Sequence, residues 1–497
     1  MHFRGDEYIL RNILMIALGV CLVLVSLIIA NTSSDSLTIW ITFSIFMVGF
    51  AFGIINVPFS MAFFFFLITL FIFNFTSIIM NWVEFKTLPT AWMGKVSIES
   101  VKLILFSLTT FMAVYMFLWS VCQRKDHLNK RVLYMNSEII RILYIATMIA
   151  YLVDIYFNLQ AFAIVSKSGY LYYYTYFTGY RSQFFLLQRI IDVSPFLFFF
   201  TIYFLEGRSR NILFTIYWLD AITGLMTGAR NRFVLNSMIF IFYLAYESKI
   251  RGKNSVKKFR SFFYRILIIL LVLSPLILSG MNYIGIIRMH GSLSQIDIYG
   301  LAKDALYEQG LSGLRLIDYV VDNENHLPEH KSFLLAPFRE SFQKNIFAKA
   351  LGYYKNYQPN TREYALNTVH LGNLFSLLNY RDYYLSGGGF GGSYIAEAYG
   401  DLGIFGVIII TILYSVIAFV LDRSSSLSPL QLTIGIQIFK KVLIAPRETA
   451  LNFALIFFQP TFLVTLLLLF FIMRFKTSTK ISGVTKHSEA MKHNVLP

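Results

Sequence analysis

Along this chain, apolar runs of about 20 residues alternate with short polar segments. That is about the length a helix needs to cross the hydrocarbon core of a bilayer. Twelve segments meet or approach it, at approximately 12–30, 37–55, 58–80, 100–121, 139–160, 184–205, 211–227, 233–246, 266–280, 401–421, 430–446 and 452–473. The stretch 37–80 is nearly unbroken and long enough for two spans, with a tight turn expected near Asn56-Val57-Pro58. Span 430–446 carries Lys440 and Lys441, so a short or tilted helix is expected there. Residues 281–400 break the alternation. Long loops in compact proteins tend to carry function. Apolar stretches at 332–336 and 374–378 suggest that this one folds into a helix-rich cap resting on the membrane. The tail 475–497 is polar and basic and reads as disordered. The expected fold is an all-α polytopic membrane protein of about 12 transmembrane helices. Helices 1–9 occupy 1–280, the large loop 281–400, helices 10–12 401–474, and the tail 475–497.

Composition sharpens this picture. Of 497 residues, 56% are apolar and only 14% charged, against about 25% charged in soluble domains. Mean hydropathy is +0.60. A soluble enzyme, a disordered protein and a fibrous one are excluded. Cys21 and Cys122 form neither a disulfide framework nor a zinc pattern. The first apolar run follows a basic start but ends at Ala30-Asn31 without a small-residue cleavage site, so an uncleaved first span is expected.

The net charge of +16 would suggest nucleic acid in a soluble protein. Its distribution argues otherwise. With the N-terminus inside, the inner segments hold twenty-one Lys and Arg, seven of them in 247–265, while the short outer segments hold seven. Cytoplasmic loops are enriched in Lys and Arg, so both termini are expected to be cytoplasmic and 281–400 to lie outside. That loop is nearly neutral, with ten basic and eleven acidic residues. Most of the positive balance therefore reports topology, and no nucleic acid partner is implied.

Interest moves to the exceptions. Ser386-Gly387-Gly388-Gly389-Phe390-Gly391-Gly392-Ser393 leads into a helix start, with Ser393 as candidate N-cap. Glycines let backbone approach a ligand, and free N–H groups at a helix start can hold an anion. The segment could equally be a hinge into the tenth span. No Gly-Lys-Ser/Thr follows, so a nucleotide loop is not indicated. Glu397, one turn on, could be a base with its pKa raised by burial, or could support the helix start electrostatically. Arg230 and Arg232 mark an outer turn between spans seven and eight, and Arg447 with Glu448 the outer turn between eleven and twelve. Arginine pairs bidentately with phosphate, so these turns could assemble a pyrophosphate clamp; they could also snorkel to headgroups. Lys102, Arg141, Asp154, Arg189, Asp192 and Asp220 fall inside spans, where ionisable groups are functional candidates. Arg189 and Asp192 can neutralise each other, whereas Asp154 and Asp220 have no local partner. The outer loop 166–182 is rich in Tyr, including Tyr173, beside Arg181; it fits an interfacial belt or a sugar-stacking surface. His326 and His330 flank Pro328, which disfavours a metal helix, so no metal is expected; His370 stands as a further candidate base.

The run Gly392-Ser393-Tyr394-Ile395-Ala396-Glu397-Ala398-Tyr399-Gly400-Asp401-Leu402-Gly403-Ile404-Phe405-Gly406 resembles the late-loop segment of bacterial O-antigen polymerases (Wzy). Thr227-Gly228-Ala229-Arg230 is similar to a Gly-x-Arg turn that this family places mid-chain at the outer surface. The layout of spans, late outer loop and basic inner loops is similar as well. Arg381 and Gly392 match an Arg-x10-Gly spacing described in some members, while Arg181 lacks the partner glycine because position 192 is aspartate. The resemblance implies a GT-C-type glycosyltransferase of the bacterial inner membrane. It would join oligosaccharide repeat units carried on undecaprenyl pyrophosphate at the periplasmic face, for lipopolysaccharide. Donor and acceptor would both be lipid-linked, a chain-length regulator protein is an admissible partner, and no cofactor is implied. Arg230, Arg447 and Arg381 would then stabilise the departing pyrophosphate, with Glu397 or Glu448 as candidate base. Two alternatives stay open. An O-antigen ligase would depend on a loop histidine, for which His370 is the placed residue. A lipid-linked oligosaccharide flippase would show two similar halves and short loops.

Overall fold

The computed structural model describes residues 5–481 except 33, 91–93, 123–130, 169–184, 228–229, 289–296, 325–326, 328–331, 344–350, 356 and 424–426. The first half holds α1 (Gly5–Ala30), α2 (Asp35–Ile55), α3 (Met61–Asn74), α4 (Thr76–Phe85), α5 (Ile98–Val121), α6 (Ser137–Ser168), α7 (Phe185–Ile202), α8 (Gly207–Met226), α9 (Arg230–Arg251) and α10 (Lys253–Arg288). The large loop supplies α11 (Ile298–Asp322), α12 (Ala336–Gln343), α13 (Arg362–Thr368), α14 (Leu371–Asn379) and α15 (Arg381–Leu385). The chain then re-enters as α16 (Tyr394–Arg423), α17 (Pro429–Ile444), α18 (Asn452–Leu455) and α19 (Pro460–Lys476). Beyond helices, the described residues form an antiparallel ribbon, β1 (Arg131–Met135) with β2 (Thr477–Ile481), which ties the start of the C-terminal tail to the segment before α6.

Among the described residues, α2, α5, α6, α9, α10 and α16 are long and apolar enough to cross a membrane; the bent pairs α3–α4 (53°) and 452–458 with 460–474 (66°) bring the number to eight. A helix also lies over each remaining expected segment, as α1, α7, α8 and α17. Local signals explain the boundaries. Ser97 Oγ accepts the Ser100 N–H at the start of α5, and Ser428 with Gln431 forms a capping box before Pro429. Two breaks require glycine. Gly252 (φ 93°) turns the chain between α9 and α10, so most of the basic segment 247–265 lies on helix ends. Gly403 (φ 59°, ψ −149°) kinks α16, separating the Glu397 turn from the rest of the helix.

The core is aromatic. Phe63 stacks on Phe111, Phe66 packs on Tyr414, and Tyr394 meets Tyr414 edge-on. Within the large loop, α11 packs against α3, α4, α5 and α16. Small residues make this possible. A Cβ on Gly310 would lie 2.4 Å from the Ser77 N, and one on Gly313 would lie 2.1 Å from Asn74 Oδ1 and 2.6 Å from the Pro446 carbonyl oxygen. The loop helix is thus wedged where α3 breaks into α4.

Polar contacts tie the helix ends together. At one end the Asp422 carboxylate accepts the N–H groups of Ala62 and Phe63 (2.8 and 2.9 Å) and the Tyr115 hydroxyl. There too Lys249 Nζ donates to the Asp422 carbonyl, and Arg260 to the Val57 carbonyl. At the other end Asp318 accepts the Ser97 N–H and Ser100 hydroxyl (2.8 and 3.0 Å), and Glu397 accepts the Ala450 N–H.

Candidate functional site

The turn between α17 and α18 is the centre of the first candidate site. Pro446 has no N–H to continue a helix, so α17 ends in a 3-10 turn, Ala445–Arg447, and Glu448 is extended. Arg447 Nη1 donates to Gln309 Oε1 on α11 (2.7 Å), and its guanidinium lies 5.6 Å from the Phe73 ring centre. Glu448 accepts from Asn452 Nδ2 and lies 3.9 Å from Lys441 Nζ.

The glycine-rich segment lies directly on this turn. A Cβ on Gly391 would come 2.4 Å from the Arg447 carbonyl oxygen; one on Gly392 would come 2.7 Å from the Glu448 carbonyl carbon and 2.8 Å from the Thr449 N. Behind it, a Cβ on Gly372 would meet the Gly391 carbonyl oxygen at 2.1 Å. Three backbone segments, around 372, 391 and 448, are therefore stacked at distances only glycine permits. Close packing of backbone on backbone, rather than an open cradle, is what these glycines do in the structure.

Glu397 is fully buried. Its Oε2 accepts the Ala450 N–H (2.8 Å), and the Ala450 carbonyl in turn accepts the Tyr414 hydroxyl. The Arg447 turn is thus pinned at Ala450 from both sides. Among the described residues, Glu397 Oε1 has no hydrogen-bond partner, and neither has the buried Ser393 hydroxyl. Ser393 stands just before α16, but it does not cap the helix through its side chain. Asn74 Oδ1 and Ser77 Oγ, at the α3–α4 break, are also buried and have no partner among the described residues. Buried polar atoms are usually paired, so four such oxygens beside one junction mark it as unusual.

A second centre lies between α6, α8 and α9. Arg232 donates to both oxygens of Asp220 (3.0 and 2.9 Å), to Asp154, and to Asn158 Oδ1 (3.4 Å). The two carboxylates have side chains only 3% exposed. A cavity of about 30 Å³ opens beside them, lined by Asp220, Arg232, Asn236, Gln437 and Lys440 among others. Consecutive lysines of α17 serve both centres, Lys440 at this cavity and Lys441 beside Glu448.

A third cluster sits in the large loop. His370 Nε2 pairs with Glu340 Oε2 (2.7 Å), while Glu340 Oε1 accepts the Tyr364 hydroxyl (2.9 Å). Burial and the nearby Glu340 raise the Tyr364 phenol and push Tyr384 up to about 12. Among the described residues no group of three His, Cys, Asp or Glu could hold a metal.

The structure therefore brings Gly392, Ser393, Glu397, Arg447 and Glu448 together. Arg232 belongs to the second centre, where Asp154 and Asp220 find the partner they lack locally. Arg230 opens α9 two residues before it, partly exposed. Arg381 is exposed at the start of α15 and joins no centre. Arg189 pairs with Asp192 (3.4 Å), and Lys102 with Glu99 (2.9 Å). Tyr173 and Arg181 lie outside the described residues, as do Gly228 and Ala229. Sequence reasoning missed Gln309, Asn74, Asn158 and Glu340. The one available signal was the Gly310/Gly313 pair, which marks a helix face made for close approach.

Comparison with known proteins adds one match. A family model described as O-antigen polysaccharide polymerase Wzy covers residues 13–480. No curated protein and no solved structure matches the chain.

Proposed function

The chain belongs to the O-antigen polysaccharide polymerase Wzy family, and from that premise we propose that it joins lipid-linked oligosaccharide repeat units by glycosyl transfer. In this reading donor and acceptor are carried on undecaprenyl pyrophosphate, and the reaction takes place at the periplasmic face of the inner membrane. The protein then spans that membrane twelve times in a GT-C-like arrangement, with both termini cytoplasmic and the 281–400 loop periplasmic. The helix-end contacts support this alternation. Asp422 with Ala62, Arg210 with Glu247, and β1 with β2 all join segments it puts inside. Lys303 with Glu84, Asp318 with Ser97, and Glu397 with Ala450 all join segments it puts outside.

The observation that carries the catalytic reading is the clamped Arg447 turn. Transfer breaks the bond between the anomeric carbon and the pyrophosphate, and the electron pair leaves with the lipid pyrophosphate. Charge develops on phosphate oxygens, and a prepositioned guanidinium is the group best suited to meet it. Arg447 is held by Gln309 on one flank and by the Ala450 anchor on the other, so its reorganisation on binding is small. Arg230 supplies the second positive charge in this scheme. Arg232 is already committed to two carboxylates and acts as a structural ion pair. Glu397, closed off from solvent and bonded to Ala450, holds the turn.

The test is genetic and structural at once. Deletion of the gene in its host should leave lipopolysaccharide core bearing a single repeat unit, and plasmid copies should restore the ladder. Arg447→Ala should fail to restore it while inserting at normal levels. Bare core with glycan accumulated on the carrier lipid would instead indicate a ligase, and an unchanged ladder would defeat both readings.

A further inference from the structure

Polymerisation also needs a group to take the proton from the attacking hydroxyl, and each carboxylate at the Arg447 turn already has one oxygen committed to a partner. Glu397 is fully buried with one oxygen committed to Ala450. Glu448 is held by Asn452 and faces Lys441. We propose that His370 is that base and Glu340 its positioning residue, an inference that rests on the polymerase reading above.

The geometry is that of an oriented imidazole. With Glu340 Oε2 accepting the N–H of His370 Nε2 at 2.7 Å, the lone pair of the neutral ring lies on Nδ1. Nδ1 makes no hydrogen bond among the described residues, and the side chain keeps 13% of its surface exposed. The carboxylate is itself oriented, because its other oxygen accepts the Tyr364 hydroxyl at 2.9 Å. A carboxylate, an imidazole and an open ring nitrogen in that order form the base half of a catalytic triad. Glu340 on α12, Tyr364 on α13 and Tyr384 on α15 are titratable groups around it among the described residues.

The cluster is anchored to the Arg447 turn on two sides. His370 is two residues before Gly372, whose Cα lies against the Gly391 carbonyl, and Gly391 lies in turn against the carbonyl of Arg447. Phe338, one helical half-turn before Glu340, packs edge-on against Phe458 at 5.5 Å, beyond the same turn. Proton acceptor and pyrophosphate-binding arginine are thereby held by one stack of backbone.

The step balances simply. The acceptor hydroxyl gives its proton to His370 Nδ1 as its oxygen bonds to the anomeric carbon of the donor glycan. The bond to pyrophosphate breaks, and its electron pair leaves with the lipid pyrophosphate. Glu340 stabilises the imidazolium until solvent removes the proton.

The experiment uses the full-length protein in lipid nanodiscs, with lipid-linked repeat unit extracted from a strain lacking the gene. Polymer formation by the wild-type protein tests the polymerase reading alone; if none forms, that reading fails first. Given wild-type activity, His370→Ala and His370→Gln should each lower kcat by about 100-fold or more, the usual range for general base catalysis, and change KM little. Glu340→Gln should also lower kcat, through loss of the ring's orientation and tautomer, with KM little changed. Imidazole in the buffer should restore activity to His370→Ala but not to Arg447→Ala. His370→Gln keeps a donor for Glu340, so it controls for folding. Retained turnover in either His370 variant, or a loss that imidazole leaves untouched, would overturn the inference and leave the family assignment standing.

Discussion

Gly313→Ala tests whether α11 is wedged against the catalytic turn. The added methyl would lie 2.1 Å from Asn74 Oδ1 and 2.6 Å from the Pro446 carbonyl oxygen. The asparagine can rotate away, but the carbonyl belongs to a 3-10 turn that lacks that freedom. Carbon–oxygen contacts need about 3.3 Å, so α11 and the turn must separate by about 0.7 Å. If the helix moves as a body, the 2.7 Å Arg447–Gln309 hydrogen bond stretches to about 3.4 Å, where it contributes little. Overpacking of this kind costs about 1–3 kcal/mol, and the arginine loses its fixed aim. The measurements are lipopolysaccharide ladder length in a complemented deletion strain and thermal unfolding of the purified protein. Gly280→Ala is the matched control, since a Cβ there meets nothing within 4 Å. Gly313→Ala should shorten or abolish the ladder and lower the melting point, while Gly280→Ala should do neither. Adding Asn74→Ala should not rescue it, because the carbonyl clash remains. A Gly313→Ala protein with wild-type ladder and melting would refute the wedge.

Arg232→Ala should destabilise the protein by about 3–5 kcal/mol, because it leaves Asp154 and Asp220 buried without their counter-charge. Arg232→Met combined with Asp154→Asn and Asp220→Asn should recover most of that loss in thermal unfolding; a triple variant no better than Arg232→Ala would contradict the structural role. Glu397→Gln keeps an oxygen for the Ala450 N–H and should retain the ladder, whereas Glu397→Ala strands that N–H at about 1–3 kcal/mol and should shorten it. Equal and complete loss in both, at unchanged melting, would make Glu397 the base. Burial raises the Asp318 carboxyl above its usual range despite the bonds from Ser97 and Ser100. The folded state then binds the proton more tightly than the unfolded one, so this group's stabilisation is complete at low pH and is lost as pH rises through the raised value. Asp318→Asn should therefore melt no lower than wild type at neutral pH, with any gain disappearing on acidification; a clear loss at neutral pH would show that the carboxylate itself is needed.

How much of this was legible in the sequence depends on how far apart the partners are. Segments such as 100–121 announce themselves, because a bilayer demands a long apolar run whatever surrounds it. Arg447, Glu397 and the glycines were legible as exceptions to composition and topology. Their association was not, since Arg447 and Gln309 are 138 positions apart and Arg232 and Asp154 78. The sequence could say that Asp154 and Asp220 need a partner; only the folded helices say that one arginine serves both. The glycine run shows a different obscurity. Glycine answers equally to a hinge, an anion cradle and a backbone contact, and these share a single sequence signature. What separates them is the neighbour within reach of a missing Cβ, here the carbonyl of Arg447 and the backbone of Glu448 and Thr449. Backbone neighbours leave no trace of residue type in the partner segment. The same holds for Ala450, whose N–H and carbonyl fix the turn between Glu397 and Tyr414 although its side chain has no chemistry. The position of the Arg447 turn is thus set by main-chain contacts at Ala450, Gly391 and Gly392, while the Gln309 side chain on α11 aims the guanidinium. Substitutions at Gly313, Gly391 and Gly392 should consequently report on the site as sharply as substitutions of the charged residues themselves.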